Sequence, residues 1–346
     1  MTASRSRTAR AALVLPAAVG LPAPPDVAGA SYVALGDSYS AGTGTRTYLP
    51  DGTDCRRSAY AFPSLIARAT GLALNLRACS GATVADVAAL QLDALTPATS
   101  YVSLSVGGND VAFVSVLSEC AQPAWLGNCS AAIDRTRALI RGALPGRLDS
   151  LYGQVRVRAP QAAVAIVGYP RLFNGEDCNA GTWFSPRDQA GLNATVDLVN
   201  RTTAAAAARA GFVFVDPTVV FTGHAVCDDV EWLNGLSHPV SDSYHPNRAG
   251  HALGYMPLVS AALTGSRVAV TEEMLWSTEQ FVPMLSEQQA AYADVDRRIR
   301  AEEFVPPDLS SPAARAAAVR AGVDLSDPAS IARADRAAEA EQIRGR

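Results

Sequence analysis

Four short blocks of this chain carry residues whose types and order suit acyl transfer. The first is Gly36-Asp37-Ser38, where the apolar run Val33-Ala34-Leu35 stops at a serine. A hydroxyl at such a strand end sits above the amino end of the next helix, whose dipole and free N–H groups favour an anion beside it. Serine is a poor nucleophile until a base takes its proton, so a histidine is required at the same edge. Of His224, His238, His245 and His251, the one with a suitably placed acid is His245, three residues after Asp242 in Ser241-Asp242-Ser243-Tyr244-His245-Pro246-Asn247. In a loop-to-helix turn that spacing lets the carboxylate reach Nδ1 and turn Nε2 toward the serine. His251 falls inside the closing helix and reads as structural.

Acyl transfer also needs donors aimed at the oxyanion formed on attack. The backbone N–H groups of Ser38 and Gly81 and the side-chain amide of Asn109 are the candidates, in the turns Cys79-Ser80-Gly81-Ala82-Thr83 and Gly107-Gly108-Asn109-Asp110. Taken singly, each has an ordinary explanation: Ser38 and Asn109 as helix caps, Gly81 as a turn glycine, Asp242 as a turn cap, His245 as an exposed loop residue. The ordered set is what points to chemistry.

The elements that must hold these blocks alternate along the chain. Strands are expected near residues 33–35, 72–78, 101–106, 162–167 and 212–215. Helices are expected at 58–70, 84–95, 111–117, 131–157 with a break at Pro145-Gly146, 187–210 and 247–263. Alternation of this kind implies a parallel, doubly wound sheet with helices on both faces, and ligands at its carboxyl edge. The turns at Ser38, Gly81 and Asn109 then share one edge, and loops 171–186 and 221–239 shape an acyl pocket. Beyond Gly265 the sequence is dense in Glu, Gln, Asp, Arg and Ala, punctuated by Val305-Pro306-Pro307 and Ser310-Ser311-Pro312. It reads as a helical appendage with a solvated charged face, partly disordered at its end.

With 346 residues, 49% hydrophobic and 18% charged, the chain is long and apolar enough for one large domain plus that appendage. A net charge of -4 without a basic stripe gives no sign of a nucleic-acid binder. Its 29 basic residues other than histidine are all arginine, which excludes a lysine Schiff base and a Walker-type lysine. Arg5, Arg7 and Arg10, the apolar residues 11–21 and Ala28-Gly29-Ala30 read as a secretory leader with its cleavage site. No second run of membrane length follows, so a soluble mature protein is expected. The division is therefore 1–30 leader, 31–265 catalytic domain and 266–346 extension. Six cysteines, Cys55, Cys79, Cys120, Cys129, Cys178 and Cys227, agree with an oxidising compartment. Their pairing is open from sequence, although joining neighbours in order closes the shortest loops. No Cys-x-x-Cys pair supports a metal site.

Gly36-Asp37-Ser38, the Gly81 turn, Gly107-Gly108-Asn109-Asp110 and Asp242-Ser243-Tyr244-His245 together resemble the blocks of the SGNH (GDSL) hydrolase family, in that family's order. The resemblance spans about residues 31–265. It implies a flavodoxin-like three-layer α/β/α sandwich on a five-stranded parallel sheet, a serine nucleophile, a histidine base, oxyanion donors from Ser38, Gly81 and Asn109, and ester hydrolysis without cofactor or metal. The leader and cysteines further resemble the secreted bacterial lipases and esterases of the family, which implies bridges Cys55–Cys79, Cys120–Cys129 and Cys178–Cys227 and a monomer. Some members orient the histidine with a backbone carbonyl instead of an aspartate, which leaves Asp242 or a carbonyl for that place. Tyr39 stands where the name-giving leucine would be, with no catalytic role expected of it. The substrate is expected to be a lipid or other small acyl ester. Phospholipids, acetylated polysaccharides and a non-catalytic secreted binding role are the alternatives.

Overall fold

The structure, a computed structural model, describes residues 27–344. The basic and apolar parts of the expected leader, Arg5 to Leu21, lie outside the described residues. Five parallel strands, β1 (Ser31–Gly36), β2 (Ala73–Leu76), β3 (Tyr101–Ser105), β4 (Ala163–Val167) and β5 (Val213–Val215), lie in the order β2-β1-β3-β4-β5. The three inner strands read as near-continuous buried runs because helices cover both faces.

Successive side chains point to opposite faces of a strand, and the two cores divide accordingly. Tyr32, Ala34, Ala165 and Val167 join the core that holds Phe62, Ile66, Met256 and Val259 of the helices Phe62–Thr70 and Met256–Thr264. Val33, Leu35, Val102, Leu104, Val164 and Ile166 join the core that holds Ile140, Leu148, Leu151, Val196 and Val199 of the helices Cys129–Gly142, Leu144–Arg158 and Pro186–Ala210. The long helix expected over 131–157 is thus two helices, parted beside Pro145. The one expected over 84–95 is a single turn, Val84–Asp86, followed by a wider π turn, Val87–Gln91, and a 3-10 turn, Leu92–Ala94. The closing helix likewise begins with a π turn, Gly250–Tyr255.

The three disulfides are Cys55–Cys79, Cys120–Cys129 and Cys178–Cys227. Each closes a short loop and restricts the unfolded chain by roughly 2–4 kcal/mol.

The C-terminal region is helical and wraps the domain. Val282–Ala290 lies along the edge strand β2, where Leu285 meets Leu49 and Ala59, and Gln289 donates to Asn75 Oδ1 at 3.1 Å. Covering an open sheet edge in this way prevents pairing with other chains. Asp296 then enters the domain, and its Oδ2 accepts from Arg57 at 2.6 Å and Arg77 at 3.0 Å, all three side chains being buried. Arg57 also pairs with Asp51 at 2.9 Å, and the Arg77 guanidinium stacks 3.7 Å over the Tyr292 ring. The charged face expected in solvent is therefore partly an anchor. The last helix, Pro328–Arg344, docks through Asp335, which accepts from Ala124 N at 2.6 Å, and Gln342, which donates to the Ala124 and Gly127 carbonyls.

Candidate active site

The strand order reverses at β1, so the connections leaving β1 and β3 open a crevice at their carboxyl ends. Ser38 follows β1 there, and Gly81 and Asn109 follow the neighbouring strands β2 and β3. The exit of β1 is held tightly. Gly36 N donates to Gln91 Oε1 at 2.7 Å and Gln91 Nε2 donates back to Gly36 O at 2.9 Å, a clamp supplied by the π turn. Gly36 has φ +121°, and a Cβ on it would lie 2.1 Å from the Ser105 carbonyl oxygen, so glycine alone allows β1 and β3 to close here.

Ser38 opens the short helix Ser38–Ala41, capped by the Asp37 carboxylate, which accepts from Tyr39 N at 3.1 Å. The same carboxylate accepts from Ser105 Oγ at 3.1 Å and from Tyr169 Oη at 2.5 Å. Burial pushes Asp37 up to about 7 against the pull of these donors, Tyr169 foremost. The Ser38 side chain, 8% exposed, stands 2.9 Å from His245 Nε2.

The other ring nitrogen of His245, Nδ1, is 2.9 Å from the Ser243 carbonyl oxygen. A carbonyl only accepts, so Nδ1 carries the hydrogen and Nε2 is left to accept from the serine. Here the structure corrects the expectation for Asp242. Its carboxylate does not meet the ring; Oδ1 accepts from Tyr48 Oη, and Oδ2 has no partner among the described residues. The reason is the path of the chain. The 3-10 turn Val240–Asp242 buries the carboxylate beneath the loop, and Tyr244, at φ +59°, swings the imidazole back over the carbonyl of Ser243. Burial lowers His245 to about 4, the Ser243 carbonyl opposing and the Arg56 charge assisting, so the ring is neutral through the physiological range.

Among the described residues nothing accepts from the N–H groups of Ser38 and Gly81. Asn109 Nδ2 spends one hydrogen on the Ala82 carbonyl at 3.0 Å and keeps the other. The next residue, Asp110, accepts from Val84 N at 2.8 Å, so the third block grips the second from both sides of Ala82 and Thr83. Ser38, Gly81, Asn109 and His245 line one cavity of about 70 Å³, which also has the apolar side chains of Phe113, Val114, Leu117, Leu172, Val196 and Val199 in its lining.

Several participants were not anticipated. The Tyr39 ring lies 5.4 Å from the His245 ring, and its hydroxyl donates to the Tyr244 carbonyl at 2.9 Å, so the residue expected to be idle supports the histidine. Its position next to Ser38 was a usable signal. Gln91 and Tyr169 left none, since only the fold brings them to Gly36 and Asp37. His251 is buried against Phe62, whose backbone N–H it accepts at 3.2 Å through Nδ1, in keeping with a structural role. Its burial lowers it to about 3.

Residues 34–253 match the GDSL-like Lipase/Acylhydrolase family. A lipase of Streptomyces rimosus is 39% identical over 265 residues, covering 75% of this chain and 98% of that protein. Lipase 1 of Streptomyces coelicolor is 38% identical over 234 residues, covering 67% and 86%. Among solved structures, the extracellular lipase of Streptomyces rimosus superposes with a TM-score of 0.64 at 40% identity, covering 68% of this chain and 100% of that one. The phospholipase A1 of Streptomyces albidoflavus superposes with the same score at 39% identity and the same coverage.

Proposed function

We propose that this chain, which belongs to the GDSL-like lipase/acylhydrolase family and is an ester hydrolase, cleaves acyl esters through a Ser38–His245 pair, with the Ser243 carbonyl orienting the base. The observation that carries the reading is the 2.9 Å separation of Ser38 Oγ and His245 Nε2 on a ring whose tautomer Ser243 fixes. Ser38 Oγ bonds to the acyl carbon as its proton passes to Nε2. The oxyanion is received by the N–H groups of Ser38 and Gly81 and by Asn109 Nδ2. Collapse expels the alcohol, which takes the proton from Nε2 and leaves Ser38 acylated. Water, deprotonated by the same nitrogen, then releases the acid.

The substrate class follows from the cavity and the relatives. Apolar side chains share the cavity with the donors, which suits the acyl part of a lipid ester, and the named relatives are lipases and a phospholipase A1. Among the described residues no helix is long and apolar enough to cross a membrane. With three disulfides and an extracellular lipase among its relatives, we place the protein outside the cell as a secreted enzyme.

The test is Ser38→Ala assayed on a chromogenic acyl ester, with labelling of the unchanged protein by a fluorophosphonate. Loss of turnover by about 10⁴-fold or more in a variant with unaltered melting is the expected result. Turnover equal to the unchanged protein rejects the mechanism.

A further inference from the structure

We propose that residues 301–304 of the C-terminal extension cap the acyl site, and that Phe304 is the residue that sets which acyl chains enter. The proposal rests on the ester-hydrolase reading of the same cavity and concerns a segment beyond residue 253, where the family match ends.

The extension does not merely pass near the site. A Cβ on Gly81 would lie 2.3 Å from Ala301 Cα and 2.6 Å from Ala301 N, so the backbone of the extension rests directly on one of the three candidate oxyanion donors. Glu302, Glu303 and Phe304 line the same cavity as Ser38 and His245. The Phe304 side chain, 6% exposed, meets the Tyr244 ring edge-on at 4.9 Å, one residue from the base. Its aromatic neighbours continue through Tyr244 to Phe173 and Phe184, and Phe113, Val114 and Leu117 line the same cavity. An apolar ring therefore occupies a place that an apolar chain would otherwise take.

The space that remains bears this out. Sites that hold small organic ligands commonly measure roughly 300–1,000 Å³. With the cap in place the cavity is about 70 Å³, room for a short acyl group beside Ser38 and no more. Longer chains require Phe304 to leave.

The ties are arranged so that it can. On one side the extension is fixed by the buried Asp296 between Arg57 and Arg77, and on the other by the docked helix Pro328–Arg344. Between those anchors the cap is held by Ser115 Oγ donating to Glu302, by the Arg56–Glu303 ion pair, whose glutamate side chain is 51% exposed, and by Val305 N donating to Ser118 Oγ at 2.9 Å. Exposed pairs of this kind are weak and screened by salt. Apart from the burial of Phe304 itself, the middle is lightly held between firm ends and can lift without the extension coming off.

The experiment measures kcat/KM of the full chain on p-nitrophenyl acetate and p-nitrophenyl octanoate, with Phe304→Ala and Phe304→Leu beside the unchanged protein. The octanoate-to-acetate ratio is expected to rise by about tenfold or more in the alanine variant and by less in the leucine variant, the discrimination that apolar groups confer in a pocket. A ratio unmoved in both variants overturns the cap. So does parallel loss of both activities in both variants, since that makes Phe304 a support of the fold. Labelling by a small fluorophosphonate separates the two claims. An unlabelled, inactive unchanged protein overturns the hydrolase reading, whereas labelling with an unmoved ratio overturns only the cap.

Discussion

The rim of the candidate site and the anchor of the extension both bury polar groups, and they dispose of them differently. In the anchor, Asp296 Oδ2 takes two guanidinium groups, and Arg57 adds Asp51 and the Ala78 carbonyl at 2.9 Å. In the rim, the N–H groups of Ser38 and Gly81 go unclaimed among the described residues, and a neutral imidazole faces a neutral hydroxyl. The charges of the anchor are met by opposite charges at rest and serve to hold, although Asp296 Oδ1 and Arg77 Nε have no hydrogen-bond partner among the described residues. An unmet donor costs stability in the resting protein and repays it when charge develops on a reacting oxygen. The two regions are distinguished by whether opposite charges already meet at rest, more than by how deeply their groups are buried.

Breaking each region should therefore fail differently. The largest effect belongs to His245→Ala, expected to lower kcat on a chromogenic ester by about 10⁴-fold while thermal melting is retained. Asn109→Ala, removing one donor, is expected to cost about 10²- to 10³-fold in kcat with KM little changed. Asp296→Ala inverts the pattern. Leaving Arg57 and Arg77 facing each other without their shared carboxylate should lower unfolding free energy by about 3–5 kcal/mol in denaturant titration. Asp242→Asn is the mildest. A carboxylate holding Nδ1 is worth about 10⁴-fold, whereas an Asp242 bonded only to Tyr48 should change kcat by less than about tenfold on substitution. A loss near the larger figure would restore Asp242 to the base.

Acid sharpens the same contrast. Burial lowers His245 to about 4, so the neutral, proton-accepting ring persists down to that pH. The pH profile of kcat/KM should be level above about 4 on this limb and fall about tenfold per unit below it. The sign for stability follows from the same shift. The unfolded chain, with an ordinary value of 6.5, binds the proton first, so this contribution is whole above 6.5 and is lost as pH falls toward about 4.

The reading of the sequence reached the strands to within a residue or two, because the inner strands are buried on both faces and announce themselves as apolar runs between turn residues. It placed Ser38, Gly81, Asn109 and His245 at one edge, and the four do line one cavity, because each lies in a short block with its own turn chemistry. It misplaced the Asp242 carboxylate, since spacing of three residues fixes reach but not direction, and the left-handed Tyr244 decided the direction. It also read the extension as solvated, because a buried aspartate and a surface one are written with the same letter until the arginines opposite are known.

The sequence by itself determined the sheet, its carboxyl edge and the identity of the groups placed there, since strand periodicity and turn chemistry act over a few neighbouring residues. Only the tertiary structure decided which oxygen meets His245 Nδ1, that Gln91 and Tyr169 brace the exit of β1, and that Phe304 lies in the cleft. The two bracing contacts join residues 55 and 132 positions apart, Gly36 with Gln91 and Asp37 with Tyr169, where no local preference operates and only the packing of the whole chain selects partners.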